Sequence, residues 1–345
     1  RRLCPFLPER AFLADSAVIS MRGYWARRLG GAACVVAIVL VANFFLFRLM
    51  PGDPVSTVLD PRFSPQAKAE LEALYGLDRP LAVQFLIYLE RTATFDFGLS
   101  FATQRPVLDE ILGRLPNTLA LLVPAYLLSV LLGTALGVLA ARRRGRAAEK
   151  AVLSAGAISF SFPSFFVQMV LLLVFAYVFP IFPLRGSLSI PPPQGTWPLL
   201  ADRLWHLALP IGSLVLLGFG GWALTVRNLV VKVMGEDFMV LARAKGIGER
   251  RLFWGHAFRA VLPPLVTLFL LSLPGVVSGA VLTETVFSLH GVGRFLLDSV
   301  LGQDYPAAGG AFYLLTLITV ASNLLADFLV QFTDPRIRTG ERTSS

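Results

Sequence analysis

Six long runs free of charged residues divide the chain: Leu29 to Phe47, Leu115 to Ala141, Ala151 to Leu184, Leu204 to Val226, Ala260 to Thr283 and Tyr305 to Ala326. Crossing a bilayer's hydrocarbon core takes about 20 apolar residues as a helix. Lipid offers backbone N–H and C=O groups no water, so such runs are satisfied only as helices or as a closed barrel, and their length selects helices. The third run, with 34 residues, exceeds one span and falls short of the roughly 40 that two would need. It is read as one helix ending near Pro180-Ile181-Phe182-Pro183, followed by an interfacial loop. The expected fold is all-α and polytopic, with spans at 29–49, 115–141, 151–179, 204–228, 261–283 and 305–333. Between them lie outer loops 50–114, 180–203 and 284–304 and inner loops 142–150 and 229–260, with an N-terminal segment 1–28 and a tail 334–345.

Basic residues decide which side is which. With a cytoplasmic N-terminus the inner segments hold Arg22, Arg27 and Arg28, then Arg142, Arg143, Arg144, Arg146 and Lys150, then the cations from Arg227 to Arg259, then Arg336, Arg338 and Arg342. The two later outer loops hold only Arg185, Arg203 and Arg294. The first outer loop has six basic residues, but it exceeds 60 residues, a length at which the positive-inside rule weakens. Both termini are therefore placed in the cytoplasm. A net charge of +9 and a pI near 10.1 would suit nucleic acid, yet the cations fall in short bursts between apolar runs, which is topology rather than a nucleic-acid face. At 55% hydrophobic and 15% charged residues, against about 25% charged in soluble domains, the chain has lipid as its main solvent.

Cys4 and Cys34 offer neither a disulfide framework nor a metal cluster, and His206, His256 and His290 are scattered over three segments. The chain opens on Arg1 and its first methionine is Met21, ahead of a basic cluster, so residues 1–20 are read as an extension or a misplaced start. A signal peptide from Met21 is the other reading, opposed by an apolar run too long for an h-region and by the lack of a small-x-small cleavage site. No phosphate-binding P-loop, H-E-x-x-H helix or nucleophile elbow occurs, so ATP-driven work would require a nucleotide-binding partner.

The first outer loop contains Pro51-Gly52-Asp53-Pro54, an amphipathic stretch opened by Ser64-Pro65 with Leu71, Leu74 and Leu77, and the segment Phe95-Asp96-Phe97-Gly98-Leu99-Ser100. Ser64 suits an N-cap, Pro65 the first helical position and Gly76 a stop, which predicts short helices packed on the outer mouth.

Polar groups inside spans are costly and turn toward the bundle interior. Ser154, Ser161 and Gln168 recur every seven residues, with Ser164 one turn before Gln168, which predicts one polar face serving either as a substrate path or as helix packing. Asn323, Asp327 and Gln331 follow at i, i+4 spacing; Asp327 is read as an ion site or, being near the inner end, as paired with an arginine. Glu284 is the other acid near the membrane, and Gly133 and Gly137 are spaced for close helix approach.

The inner loop from Gly235 to His256 is the most informative. Glu236 and Asp237 near the start, a helix through Lys245 and Gly246 at the position after its end predict a short helix with favourable end charges. A second short helix is expected from about Gly248 to Arg259. A small-residue tip at the membrane surface suits a cleft on a cytosolic partner, where the plainer reading is a solvated loop.

This loop resembles the permeases of binding-protein-dependent ATP-binding-cassette (ABC) importers, in particular the subunit type with a large first outer loop found in dipeptide, oligopeptide and nickel systems. Their E-A-A-x-x-x-G segment takes the form A-R-A-K-G in the peptide group, and Ala242 to Gly246 spell that run. Further matches follow in order: Leu49-Met50-Pro51-Gly52-Asp53-Pro54-Val55, Arg114-Leu115-Pro116-Asn117-Thr118, Ser161-Phe162-Pro163-Ser164-Phe165, Glu284-Thr285-Val286-Phe287, Gly291-Val292-Gly293-Arg294, Asp304-Tyr305-Pro306 and Asp334-Pro335-Arg336-Ile337-Arg338. Departures are Val240 in place of the acid of E-A-A, a longer step from Gly246 to Leu262-Pro263, His290 where proline is common, and Phe95 and Phe97 flanking Asp96.

The resemblance implies a type I importer permease bundle (MetI-like) whose coupling helix docks on an ATPase, with Phe238, Leu241, Ala242, Ala244 and Gly246 as contacts and Arg243 and Lys245 flanking. It implies a second similar permease, two cytoplasmic ATPases that hold ATP and magnesium, and a periplasmic substrate-binding protein, with no cofactor, catalytic site or nucleic acid on this chain. Di- or oligopeptides are the implied substrates and nickel the alternative. An ion-coupled secondary transporter using Asp327 is the rival class, and no repeat between the halves supports it.

Overall fold

The computed structural model describes residues 21–49, 79–278 and 280–333. The Pro51-Gly52-Asp53-Pro54 and Ser64-Pro65 features, the Asp334-Pro335 motif and residues 1–20 lie outside them. Among the described residues no strand forms, and the only extended pairing is a single antiparallel bridge between Leu99 and Pro106.

In chain order the helices are α1 (Met21–Leu49), α2 (Leu81–Ala93), α3 (Val107–Arg142), α4 (Ala147–Ser161), α5 (Ser164–Leu172), α6 (Thr196–Met234), α7 (Asp237–Ala244), α8 (Glu249–Arg251), α9 (Phe258–Ser278), α10 (Ala280–Val286), α11 (Val292–Leu301) and α12 (Tyr305–Thr333). Five helical stretches are long and apolar enough to cross a membrane, and α4 with α5 makes a sixth if the bent pair counts as one span. The helix 107–142 begins eight residues before the expected span at 115, and α6 begins eight before 204. At about 1.5 Å per residue each is well over 50 Å long, so both project beyond a core about 30 Å thick.

The centre of the fold is the pair α3 and α6, and glycine sets their distance. A Cβ on Gly133 would lie 2.8 Å from the Phe219 carbonyl oxygen and from Trp222 Cβ, and one on Gly137 2.6 Å from the Ala223 carbonyl oxygen. The spacing read for close approach thus meets its partner helix, and Trp222 Nε1 donates to Thr134 Oγ1 at 2.8 Å across the same seam. α4 crosses α6 at Gly156 and Gly220, where a side chain on Gly220 would collide with Ser159.

The third span is not straight. Pro163 offers no N–H to the preceding turn, and α4 and α5 meet at Phe162-Pro163 with a bend of 97°. The seven-residue recurrence of Ser154, Ser161 and Gln168 therefore does not make one face: Ser154, Ser161 and Ser164 are uncovered, and Gln168 is 1% exposed and donates to Thr283 Oγ1 at 2.8 Å. α5 ends in a π-helical turn, Leu173–Val178, before the loop to α6.

α1 lies along α12 at the edge of the bundle. Arg28 pairs with Asp327 at 3.1 Å near one end, and Asn43 Nδ2 donates to the Gly309 carbonyl oxygen at 3.1 Å near the other. Asp327 is thus a buried partner of an arginine, while Asn323, one turn earlier, is uncovered. The side chain of Gln331 is outside the described set.

Candidate coupling segment and outer mouth

The loop after α6 builds a small self-closed unit. Glu236 and Asp237 place negative charge at the start of α7, where free N–H groups favour it. The far end closes as a Schellman motif: Gly246 N–H donates to the Arg243 carbonyl at 2.9 Å and Ile247 N–H to the Ala242 carbonyl at 3.4 Å. Gly246 has φ +73°, and a Cβ there would meet open space, so glycine is required for the backbone conformation rather than for room. Ile247 folds back onto the helix, which explains physically why a glycine and then an apolar residue follow A-R-A-K.

α7 has two unlike faces. Met239 and Ala242 are buried against Leu252 and Ala257, with Val233, Met234 and Ile247 around them. Ala242, expected as a contact for a partner, instead points into the body of this chain; at that spacing a larger residue would hold the helix off its seat. Phe238, Val240 and Leu241 are 46%, 56% and 56% exposed and form an uncovered apolar face. Ala244, Lys245 and Gly246 are uncovered at the tip, and Arg243 lies 3.8 Å from Glu249. Val240, standing where the general motif has an acid, belongs to the uncovered face.

The second helix expected from Gly248 to Arg259 is instead one turn of α8, a π-helical turn at Leu252–Ala257, and the start of α9. The wider turn puts Leu252, Phe253 and Ala257 on the inside together. Phe253 joins Val226, Val230 and Val261, so the floor under α7 is continuous with the α3, α6 and α9 packing.

At the opposite end of the helices several dispersed motifs meet. Glu284 is 1% exposed and accepts hydrogen bonds from Thr118 Oγ1 at 2.7 Å, from Arg294 N–H at 2.9 Å and from Gly293 N–H. Gly291 is the N-cap of α11, so the carboxylate sits on that helix's N-terminal N–H groups, supplied from α10 rather than from the helix itself. Thr118 also accepts from Val292 N–H at 2.9 Å. Gly291 has no room for a side chain because the Glu284 carboxylate occupies it, and a Cβ on Gly293 would lie 2.8 Å from the Val281 backbone. Asn117 donates to the His290 carbonyl at 2.8 Å and is bonded by Arg203. The motifs at 114–118, 284–287 and 291–294 are one structure.

A second knot joins the loop before α3 to α12. Asp304 accepts from Ser100 Oγ at 2.5 Å, from Ala102 N–H at 3.1 Å and from Ala307 N–H at 3.2 Å, capping α12 while holding the loop. Phe97 packs with Tyr313 and lies where a Cβ on Gly310 would be. The loop position that departs from the common pattern therefore faces inward. α2, a short helix that the spacing did not predict, is held to α1 through Phe44, Phe85 and Tyr88.

Long apolar helices, tightly joined at one end and carrying a small helix with an uncovered apolar face at the other, define a polytopic membrane protein. Residues 133–339 match the family described as binding-protein-dependent transport system inner membrane component, and residues 21–122 match its N-terminal family. The chain belongs to this family: it is an inner-membrane permease subunit of a binding-protein-dependent ABC importer. It is 35% identical, over 91% of its length and 99% of the relative's, to a probable peptide ABC transporter permease protein of Sinorhizobium fredii. Identity is 34% to a di/tripeptide transport system permease protein of Pseudomonas aeruginosa and 33% to a glutathione transport system permease protein of Salmonella choleraesuis, each over 92% of this chain and 99% of the relative.

Proposed function

We propose that this subunit forms, with a second permease, the path by which di- or oligopeptides enter the cytoplasm, and that α7 is the lever through which ATPase chains work it. The substrate class rests on the relatives, whose names specify peptides, di- and tripeptides and glutathione. Both termini lie in the cytoplasm, as does α7, in keeping with the basic residues of the 142–150 and 229–260 loops. Two ATPases carry the ATP and magnesium, and a periplasmic binding protein delivers peptide to the outer mouth.

The observation that carries the lever is the split of α7: one face seated on the chain's own π-helical turn, the other, Phe238, Val240 and Leu241, apolar and uncovered in the aqueous compartment. Closure of the ATPases would move the seated unit as a rigid body and, with its counterpart on the second permease, switch the path between inward and outward access. The path passes the bend at Phe162-Pro163, where Ser161, Ser164 and Phe165 are uncovered, with Ser154 on α4 and Asn323 on α12 as further contributors. Gln168 and Asp327 are sealed by Thr283 and Arg28 and take no part in it in this conformation.

The test is peptide uptake and ATP hydrolysis by the reconstituted complex with Leu241→Asp. Binding-protein-stimulated hydrolysis and uptake should both fall by about tenfold or more, the effect of removing an interface anchor. Normal uptake by this variant would overturn the assignment.

A further inference from the structure

We infer that the turn between α3 and α4 is a binding site for anionic phospholipid headgroups of the inner leaflet. Five cations, Arg142, Arg143, Arg144, Arg146 and Lys150, fall within nine residues whose only acid is Glu149. That acid is withdrawn: it is 6% exposed, accepts from Gly145 N–H at 2.6 Å and from Arg227 Nε at 2.9 Å, and so closes the turn and ties it to α6. The neutralising charge is thereby spent inside the fold. Arg143, Arg146 and Lys150 are uncovered and form no ion pair among the described residues, and Arg144 adds only a longer-range attraction to Glu149.

Position selects lipid as the partner. Only Arg143 to Arg146 separate α3 from α4, a connection too short to lift its charges far from the bilayer surface. Gly145, at φ +79° with open space around it, makes that turn tight. Uncovered apolar side chains follow on the same two helices, Leu131 at 65% and Ile158 at 60% exposed, so the guanidinium groups stand at headgroup level above a lipid-facing wall. Planar guanidinium groups match phosphate oxygens two at a time, a geometry that a merely cationic surface lacks. The lever's own uncovered face is apolar, a different chemistry for a different partner. Arg142 stacks over Phe253 at 5.2 Å and Trp254 at 6.0 Å, which joins the turn to the floor of α7.

The inference rests on the cytoplasmic placement of this turn proposed above, and the two fail separately. The assembled transporter is reconstituted in nanodiscs of mixed phosphatidylglycerol and phosphatidylcholine, and retained lipid is counted by native mass spectrometry. Combined Arg143→Gln, Arg144→Gln and Arg146→Gln should weaken phosphatidylglycerol retention by about tenfold or more, leaving phosphatidylcholine unchanged. Arg146→Gln alone, a milder change if the triple variant does not accumulate, should give a loss of a few fold. Equal retention in native and variant complexes overturns the site, as does an equal loss when Arg79, Arg105 and Arg185 are neutralised instead. Release of the ATPase with phosphatidylglycerol retained would make the turn a protein contact and also overturn it. Ala147→Cys in a Cys4→Ser, Cys34→Ser background reports the side independently: labelling from the outside rules out the inner leaflet whatever the lipid count.

Discussion

The two ends of this permease are built on opposite plans. At the end away from α7 a buried carboxylate, Glu284, holds α3, α10 and α11 together with neutral donors on every side, and glycines at 291 and 293 leave no space around it. At the other end α7 seats its own Met239 and Ala242 on Leu252 and Ala257 and leaves its other face bare. The Glu284 region is satisfied by its own chain, whereas α7 leaves an apolar face uncovered. The proposed lever needs this asymmetry: force received at one end, shape kept at the other.

Substitutions should divide along the same line. The largest loss of stability is expected for Glu284→Ala, which strands the Thr118 hydroxyl and the N–H groups of Gly293 and Arg294 in a dry site; at about 1–3 kcal/mol for each buried unpaired group, several kcal/mol go. Thermal unfolding of the purified complex measures it, and an unchanged midpoint would mean that the knot is not structural. Ala242→Leu overfills the seat beside Leu252 and Ala257, costing about 1–3 kcal/mol, and should also lower the peptide carried per ATP hydrolysed, because the helix is displaced. Gly246→Val forces a β-branched residue to φ +73° for about 1–2 kcal/mol, with uncoupling larger than the stability change suggests. Arg28→Gln leaves Asp327 without its cation, but Arg28 is half exposed and the pair is screened, so about 1 kcal/mol or less is expected, with uptake intact. If Arg28→Gln instead made uptake depend on a proton gradient, Asp327 would be an ion site after all.

Much of this was legible in the sequence. Charge-free runs gave the spans because lipid forces the backbone into helices there, and a glycine after A-R-A-K marked the end of α7 because the left-handed turn admits little else. The polar face of the third span was misread because heptad spacing assumes a straight helix, and Pro163 bends this one. Ala242 was misplaced for another reason: a family motif names residues without saying which way they face, and a helix of eight residues has too few positions to show its buried side before the floor at 252–257 is known. The Glu284 knot was visible only as fragments, since Thr118 and Glu284 are 166 residues apart and nothing local in either segment names the other.

The central claim is that α7 turns its Phe238, Val240 and Leu241 face to an ATPase and its Met239 and Ala242 face to this chain. Single cysteines at 241 and 239, in a Cys4→Ser, Cys34→Ser background, with crosslinking to the ATPase in the assembled transporter, test it directly. The structure predicts a crosslink from position 241, enhanced when nucleotide closes the ATPases, and none from position 239, where Met239 is fully buried. A crosslink from 239 with none from 241 would contradict the account.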